Sequence, residues 1–165
     1  MEIESASPLA KLFGLKGDAW QRHANPWSVY TRVPISVLLV AAVWSRQWLG
    51  CWSLALVGVV LVWTFVNPHA FPPPRSADHW ASRSVLGEVC WGARHSSPIP
   101  PRHRVAPWVL SLVSALGVPF IVWGVVIYDL WMTAFGIAVQ LMGKMWFLDR
   151  MALLYDDMTP ARDQD

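Results

Sequence analysis

Apolar residues in this chain gather into four runs separated by polar breaks. Asn25-Pro26 reads as a helix start, because asparagine caps well and proline is harmless in a first turn. From Pro26 to Trp44 the chain is apolar apart from Arg32, long enough for about 28 Å of helix and a first membrane crossing. Arg32 lies less than two turns from the start and can snorkel outward, and Pro34 predicts a bend. Ser45-Arg46-Gln47 is a short polar break. Leu49–Val66 follows without a charge and predicts a second span (about 49–66). Asn67-Pro68 ends it, and Phe71-Pro72-Pro73-Pro74 prevents its resumption. Residues 67–104 form the one long polar connection, in which Ala77–Trp91 allows a short helix and Ser96–Pro101 does not. Pro107–Ile127 predicts a third span, kinked at Gly117 and Pro119, and Leu130–Leu148 a fourth (about 130–148). The turn at Asp129 is too tight unless a few flanking apolar residues join it. Pro8–Trp20 reads either as a helix lying on the bilayer or as a loose tail, and the acidic segment after Tyr155 as frayed. The expected architecture is all-α: one integral membrane domain over residues 1–165, a four-helix transmembrane bundle of two hairpins (first span about 26–44, third about 107–127) with a cytoplasmic loop cap.

Composition sharpens this picture. Of 165 residues, 55% are apolar and 15% charged, where a soluble domain carries about a quarter charged. A soluble bundle is argued against by the uncharged second run and by the third, still longer one. Twelve tryptophans stand against three tyrosines, and Trp27, Trp44, Trp48, Trp52, Trp108, Trp131 and Trp146 fall near predicted span ends, where indole favours the lipid–water boundary. Charge distribution then sets the orientation. Eleven of the 13 basic residues lie in the N-terminal segment, the long connection and the C-terminal tail, which four spans place on one side. The short turns hold Arg46, and Lys144 lies within the last span near the basic end. The excess of positive charge puts both termini and the long loop in the cytoplasm, and the protein in the cell membrane. The first 32 residues show no removable signal peptide. Cys51 sits in an apolar run and Cys90 in a polar segment, so no disulfide between them is expected.

The candidate chemistry is sparse. His23, His69, His79, His95 and His103 fall in the expected cytoplasmic segments with Cys90 and Glu88, but no histidine pair has i, i+3 or i, i+4 spacing. No metal site is therefore assigned and the cofactor is left open. Arg94, Arg102 and Arg104 form a juxtamembrane stretch suited to anionic headgroups at about 1 kcal/mol per residue. A nucleic-acid surface would want a denser basic patch with interleaved aromatics. Gln140 and Lys144 share a helix face, and a buried ammonium must snorkel, pair or face a polar interior. Arg32 lies at a similar depth on the first span, and an Arg32–Asp149 contact between helices reads as a bundle-locking ion pair in preference to a substrate site. Gly117 and Gly124, then Gly136 and Gly143, recur at seven-residue spacing and predict close helix packing. Phosphate loops, dinucleotide fingerprints, nucleophile elbows and HExxH are missing, and no span carries a run of carboxylates for an ion path.

The segments His23-Ala24-Asn25-Pro26-Trp27-Ser28-Val29-Tyr30-Thr31-Arg32, Asn67-Pro68 with Phe71–Pro74, Trp80-Ala81-Ser82-Arg83 with Val85-Leu86-Gly87-Glu88, and Lys144-Met145-Trp146-Phe147-Leu148-Asp149-Arg150-Met151 resemble an uncharacterised family of small multi-pass membrane proteins from bacteria and archaea. The resemblance runs from about residue 20 to 156. It implies a membrane protein of this size and carries over no catalytic role. Tryptophan-rich sensory proteins have similar length and composition but five spans and different aromatic–proline motifs. All four segments map to the cytoplasmic boundary, where they would form a cap from His23, Arg32, His79, Arg83, Glu88, Lys144, Asp149 and Arg150. The expected function is that of a non-enzymatic accessory or scaffold protein. Its partners would be the lipid bilayer, anionic lipids, and another membrane protein or a second copy of the chain, with no nucleic acid. The alternative is a membrane-embedded enzyme acting on a lipid-soluble or phosphorylated substrate through His23, His79 and Glu88.

Overall fold

The computed structural model describes residues 18–159, and all regular structure among them is helical. Most of the segment expected to lie on the bilayer, Pro8–Trp20, falls outside the described residues, as do the last six positions. The first described helix is α1, Asp18–His23. Asn25 then caps α2, Pro26–Arg32, by accepting from the Trp27 N–H at 2.9 Å. Pro34 has no N–H to offer the Tyr30 carbonyl, so the expected bend is a break at Val33-Pro34 before α3, Ile35–Trp44. A short α4, Arg46–Leu49, and a 3-10 turn, Gly50–Trp52, reverse the chain. Gly50 has φ 54° and ψ −129°, a backbone that a side chain resists.

That turn corrects the predicted start of the second span. The helix α5 runs Ser53–Ala70, four residues later than expected at its start and at its end. Pro68 lies inside its last turns, where the missing N–H costs a single bond, and the buried Asn67 side chain ties the turn to α2. Ser28 Oγ donates to Asn67 Oδ1 at 2.9 Å, so α5 runs back along α2 and α3 as one hairpin. We refer to this as the loop end of the hairpin and to residues 45–52 as its turn end.

Within the long connection the helix is α6, Trp80–Gly92. The second hairpin is α7, Ala106–Ile127, and α8, Leu130–Met158. α7 continues through Pro119 as one helix. Tyr128 adopts φ 58° and ψ 35°, and Asp129 caps α8 by accepting from the Met132 N–H at 2.8 Å. These two residues complete the turn without apolar neighbours, contrary to the expectation from length. α8 runs ten residues past the predicted Leu148. Met151 and Leu154 are buried against Ile99 and Trp91 there, and Asp156 pairs with Arg83 at 2.9 Å, so the segment after Tyr155 is helical rather than frayed through Met158.

The glycines act as their spacing predicts. A methyl on Gly117 would lie 2.5 Å from the Gly136 carbonyl oxygen, and one on Gly143 2.5 Å from the Ser114 nitrogen, so α7 and α8 meet backbone to backbone. At the turn end the hairpins are joined by Arg46, which donates to Tyr128 Oη at 2.5 Å and to the Val125 carbonyl at 2.7 Å. The buried core lies at the loop end, where Trp20, Ala24, Val29, Ala81, Val85 and Leu148 pack together. Two stretches, Pro26–Ala70 and Pro101–Ile127, are long and apolar enough to cross a membrane. The rest of the chain buries 6% and 22% of their most apolar windows, so most of that surface faces outward.

Candidate functional site

The loop end gathers the four segments singled out in the sequence. α1 and α2 are joined at Asn25, which caps α2 and whose amide also donates to the Pro72 carbonyl at 2.8 Å, drawing in the proline run. α6 packs along α8, antiparallel to it, and touches α2. Its N-terminus is fixed by His79, and Gly87 lets it descend onto α8, since any Cβ there would overlap the Met151 carbonyl.

A directed chain of hydrogen bonds runs through this end. A guanidinium can only donate, so in the close contact between Arg32 Nη1 and His23 Nε2 the ring nitrogen accepts. The neutral ring then carries its proton on Nδ1, facing Ser28 Oγ at 3.4 Å. Ser28 donates to Asn67 Oδ1, Asn67 Nδ2 donates to Thr31 Oγ1 at 2.7 Å, and Thr31 donates to the Trp27 carbonyl at 2.6 Å. His23, Ser28 and Asn67 are all buried, and the chain satisfies each of their side chains. Burial, reinforced by the Arg32 charge, lowers the His23 pKa to about 3 and keeps the ring neutral.

Glu88 enters from α6. Burial would raise its carboxyl, but the Lys144 and Arg32 charges outweigh this and hold it below the ordinary carboxylate range. Lys144 Nζ lies 3.3 Å from Glu88 Oε1, with side-chain exposures of 40% and 20%. Next to them a cavity of about 410 Å³ opens between the two hairpins. Arg32 and Ser36 line it from one hairpin and Gln140 and Lys144 from the other, each pair one turn apart. Ser36 Oγ donates to Gln140 Oε1 at 3.1 Å. The remaining wall is mainly aliphatic.

Residues 4–165 match the profile of a family of unknown function (DUF6653). The chain belongs to this family. Comparison with curated proteins and with solved structures gave no match. In this DUF6653 chain, four of the eight residues expected in the cluster, His23, Arg32, Glu88 and Lys144, do converge.

The other four do other work. His79 caps α6, its Nδ1 accepting from Ala81 N–H at 3.3 Å, about 13 Å along the helix from Glu88. Arg83 pairs with Asp156. Asp149 is exposed, and neither it nor Arg150 forms an ion pair among the described residues. The expected partnership of Arg32 with Asp149 does not form: one turn and more past Lys144, Asp149 has rotated off the inner face, and the carboxylate at this end, Glu88, bonds to Lys144 and reaches Arg32 only through its longer-range charge. Among the described residues no three His, Cys, Asp or Glu side chains converge as a metal site.

Ser28, Ser36 and Asn67 join the site without any sequence pattern that assigns them to it. The proline after Asn67 marks a helix end in the sequence; a carboxamide beside a long apolar run is the available signal of a buried polar bond. Asp157 was likewise placed in a frayed tail, yet it accepts from Arg102 and, at 2.5 Å, from His103. These bonds, that to Arg102 foremost, lower its pKa to about 2. Of the basic stretch, Arg102 is therefore engaged within the protein, and Arg94 stacks over Trp91 at 4.2 Å.

Proposed function

We propose that this protein is an integral membrane protein with four spans, both termini and the polar cap in the cytoplasm, serving as a non-enzymatic accessory or scaffold subunit. The spans are α2–α3, α5, α7 and the first part of α8. The outward surfaces of α5 and α7 carry exposed residues such as Leu54, Val59, Val62, Leu112 and Val122, which lipid chains would cover. Exposed Trp48, Trp52 and Trp131 sit at the turn end, with Trp27, Trp108 and Trp146 toward the other, as two interfacial belts require. Trp108 and Tyr128 are separated by roughly 30 Å of helix, the thickness of a hydrocarbon core. The position of the basic residues supports the orientation.

The observation that carries the scaffold reading is how the cap spends its polar groups. His23 is occupied at both ring nitrogens, and Glu88 is engaged by Lys144. A general base must present a lone pair to a substrate, whereas these groups bond helix to helix. The enzymatic alternative needs His23, His79 and Glu88 to act together, and His79 is committed to its cap.

The native cysteines provide the test. Cys51 is exposed at the turn end and Cys90 lies half-buried on α6 at the loop end. A membrane-impermeant maleimide on intact cells is expected to label Cys51 and spare Cys90. Labelling of Cys51 only after permeabilisation, or recovery of the chain in the supernatant after ultracentrifugation, overturns the topology. A stoichiometric metal in the purified protein overturns the scaffold reading; a stoichiometric partner retained in mild detergent supports it.

A further inference from the structure

The cavity between the hairpins has a charge imbalance. Its polar end holds two cations, Arg32 and Lys144, and the nearby carboxylate is Glu88. Glu88 bonds to Lys144, while among the described residues no carboxylate lies within 4 Å of Arg32. The guanidinium spends its bond on the neutral His23, and its remaining donors have no hydrogen-bond partner among the described residues. Gln140 accepts from Ser36 through Oε1, which leaves its amide N–H groups without a partner among the described residues too. One positive charge and several donors thus face a cavity where desolvation makes an uncompensated cation costly.

The rest of the cavity names the rest of the ligand. Val29, Val33, Leu39, Leu141 and Leu148 line it, a surface on which a hydrated ion gains nothing. A volume of about 410 Å³ lies within the range of small-molecule sites. Arg32 sits in the last turn of α2, six residues past the start of the first proposed span, so its long side chain reaches the membrane boundary and the depth of lipid phosphates. A cationic end joined to an aliphatic wall at that depth is complementary to an anionic amphiphile.

We propose that this cavity binds one anionic phospholipid of the surrounding bilayer. Its phosphate meets Arg32 and Lys144, its glycerol ester region meets Gln140 and Ser36, and part of an acyl chain lies along the aliphatic wall. An Arg–phosphate contact of this kind is bidentate and directional, unlike the diffuse attraction of a juxtamembrane basic stretch. The inference rests on the membrane reading above, and the experiment separates the two.

The purified full-length protein in mixed micelles is titrated with phosphatidylglycerol or phosphatidylcholine, and retained lipid is counted by native mass spectrometry. One phosphatidylglycerol is expected to be retained, with roughly ten-fold preference over phosphatidylcholine. Arg32→Gln is expected to abolish the preference. Because Arg32 also anchors the hydrogen-bond chain, Leu39→Trp provides an independent variant: it fills the aliphatic part, leaves every polar contact, and is expected to remove the retained lipid with helicity unchanged. Equal retention of both lipids, or retention that survives Leu39→Trp, overturns the proposal. So does displacement of the lipid by millimolar inorganic phosphate alone, which would assign the site to a free anion. A membrane-integral protein that retains no lipid sinks this inference alone, whereas a protein that never sediments with membranes sinks the reading beneath it.

Discussion

Lys144 and Glu88, 56 positions apart, meet at 3.3 Å where α6 packs against α8. The contact sets the one cation in the apolar half of α8 against a carboxylate contributed by the long connection. It also explains how Lys144 can sit on a largely apolar helix: its charge is partnered at the loop end.

Glu88→Gln removes that carboxylate and leaves Arg32 and Lys144 facing each other's charge. The expected loss is about 1–2 kcal/mol, below that for a fully buried pair because Lys144 is 40% exposed. Thermal unfolding in detergent checks it, and a double-mutant cycle with Lys144→Gln should show that the second substitution costs less in the Glu88→Gln background. A full, undiminished cost for both would mean that the two side chains do not interact.

His23 predicts a pH dependence. Its folded pKa of about 3 lies below the ordinary 6.5, so between those values the unfolded chain binds more protons than the folded one. Stability should therefore fall as pH drops from 6.5 toward 3, with a contribution of up to about 1.4 kcal/mol per pH unit, and be complete above 6.5. His23→Gln should flatten that part of the profile. If the wild type and the variant titrate in parallel, the ring is not buried neutral.

Gly87→Ala should push α6 away from α8. Its new methyl meets the Met151 backbone carbonyl, which cannot swing aside as a side chain would. A cost of about 1–3 kcal/mol is expected, with faster backbone hydrogen exchange confined to α6. By contrast Gly58→Ala, where nothing lies within 4 Å, should leave stability unchanged or raise it slightly.

Much of this arrangement was legible in the sequence, and the failures have physical causes. Apolar runs located every long helix because run length and charge are local properties. Helix ends were harder. Leu49 and Val66 were set as span limits by hydropathy, but the chain obeyed a positive-φ glycine at 50 and a side-chain bond at Asn67. The extension of α8 past Leu148 depends on Arg83, Arg102 and His103, each more than 50 positions away, which no local reading of the tail contains. The same division holds at the site. His23, Arg32, Glu88 and Lys144 could be placed at one end of the molecule from the order of apolar runs and polar connections, yet the choice of Glu88 over Asp149 depends on helix rotation and on how α6 packs along α8.

The hydrogen-bond chain that starts at Arg32 has a consequence for proton movement at the loop end. Its midpoint, Asn67, holds no proton it can release, since passing one along would force a carboxamide into an unfavourable tautomer. Its terminus, the Trp27 carbonyl, can receive but not forward. The row of polar atoms therefore behaves as an insulated brace rather than a wire.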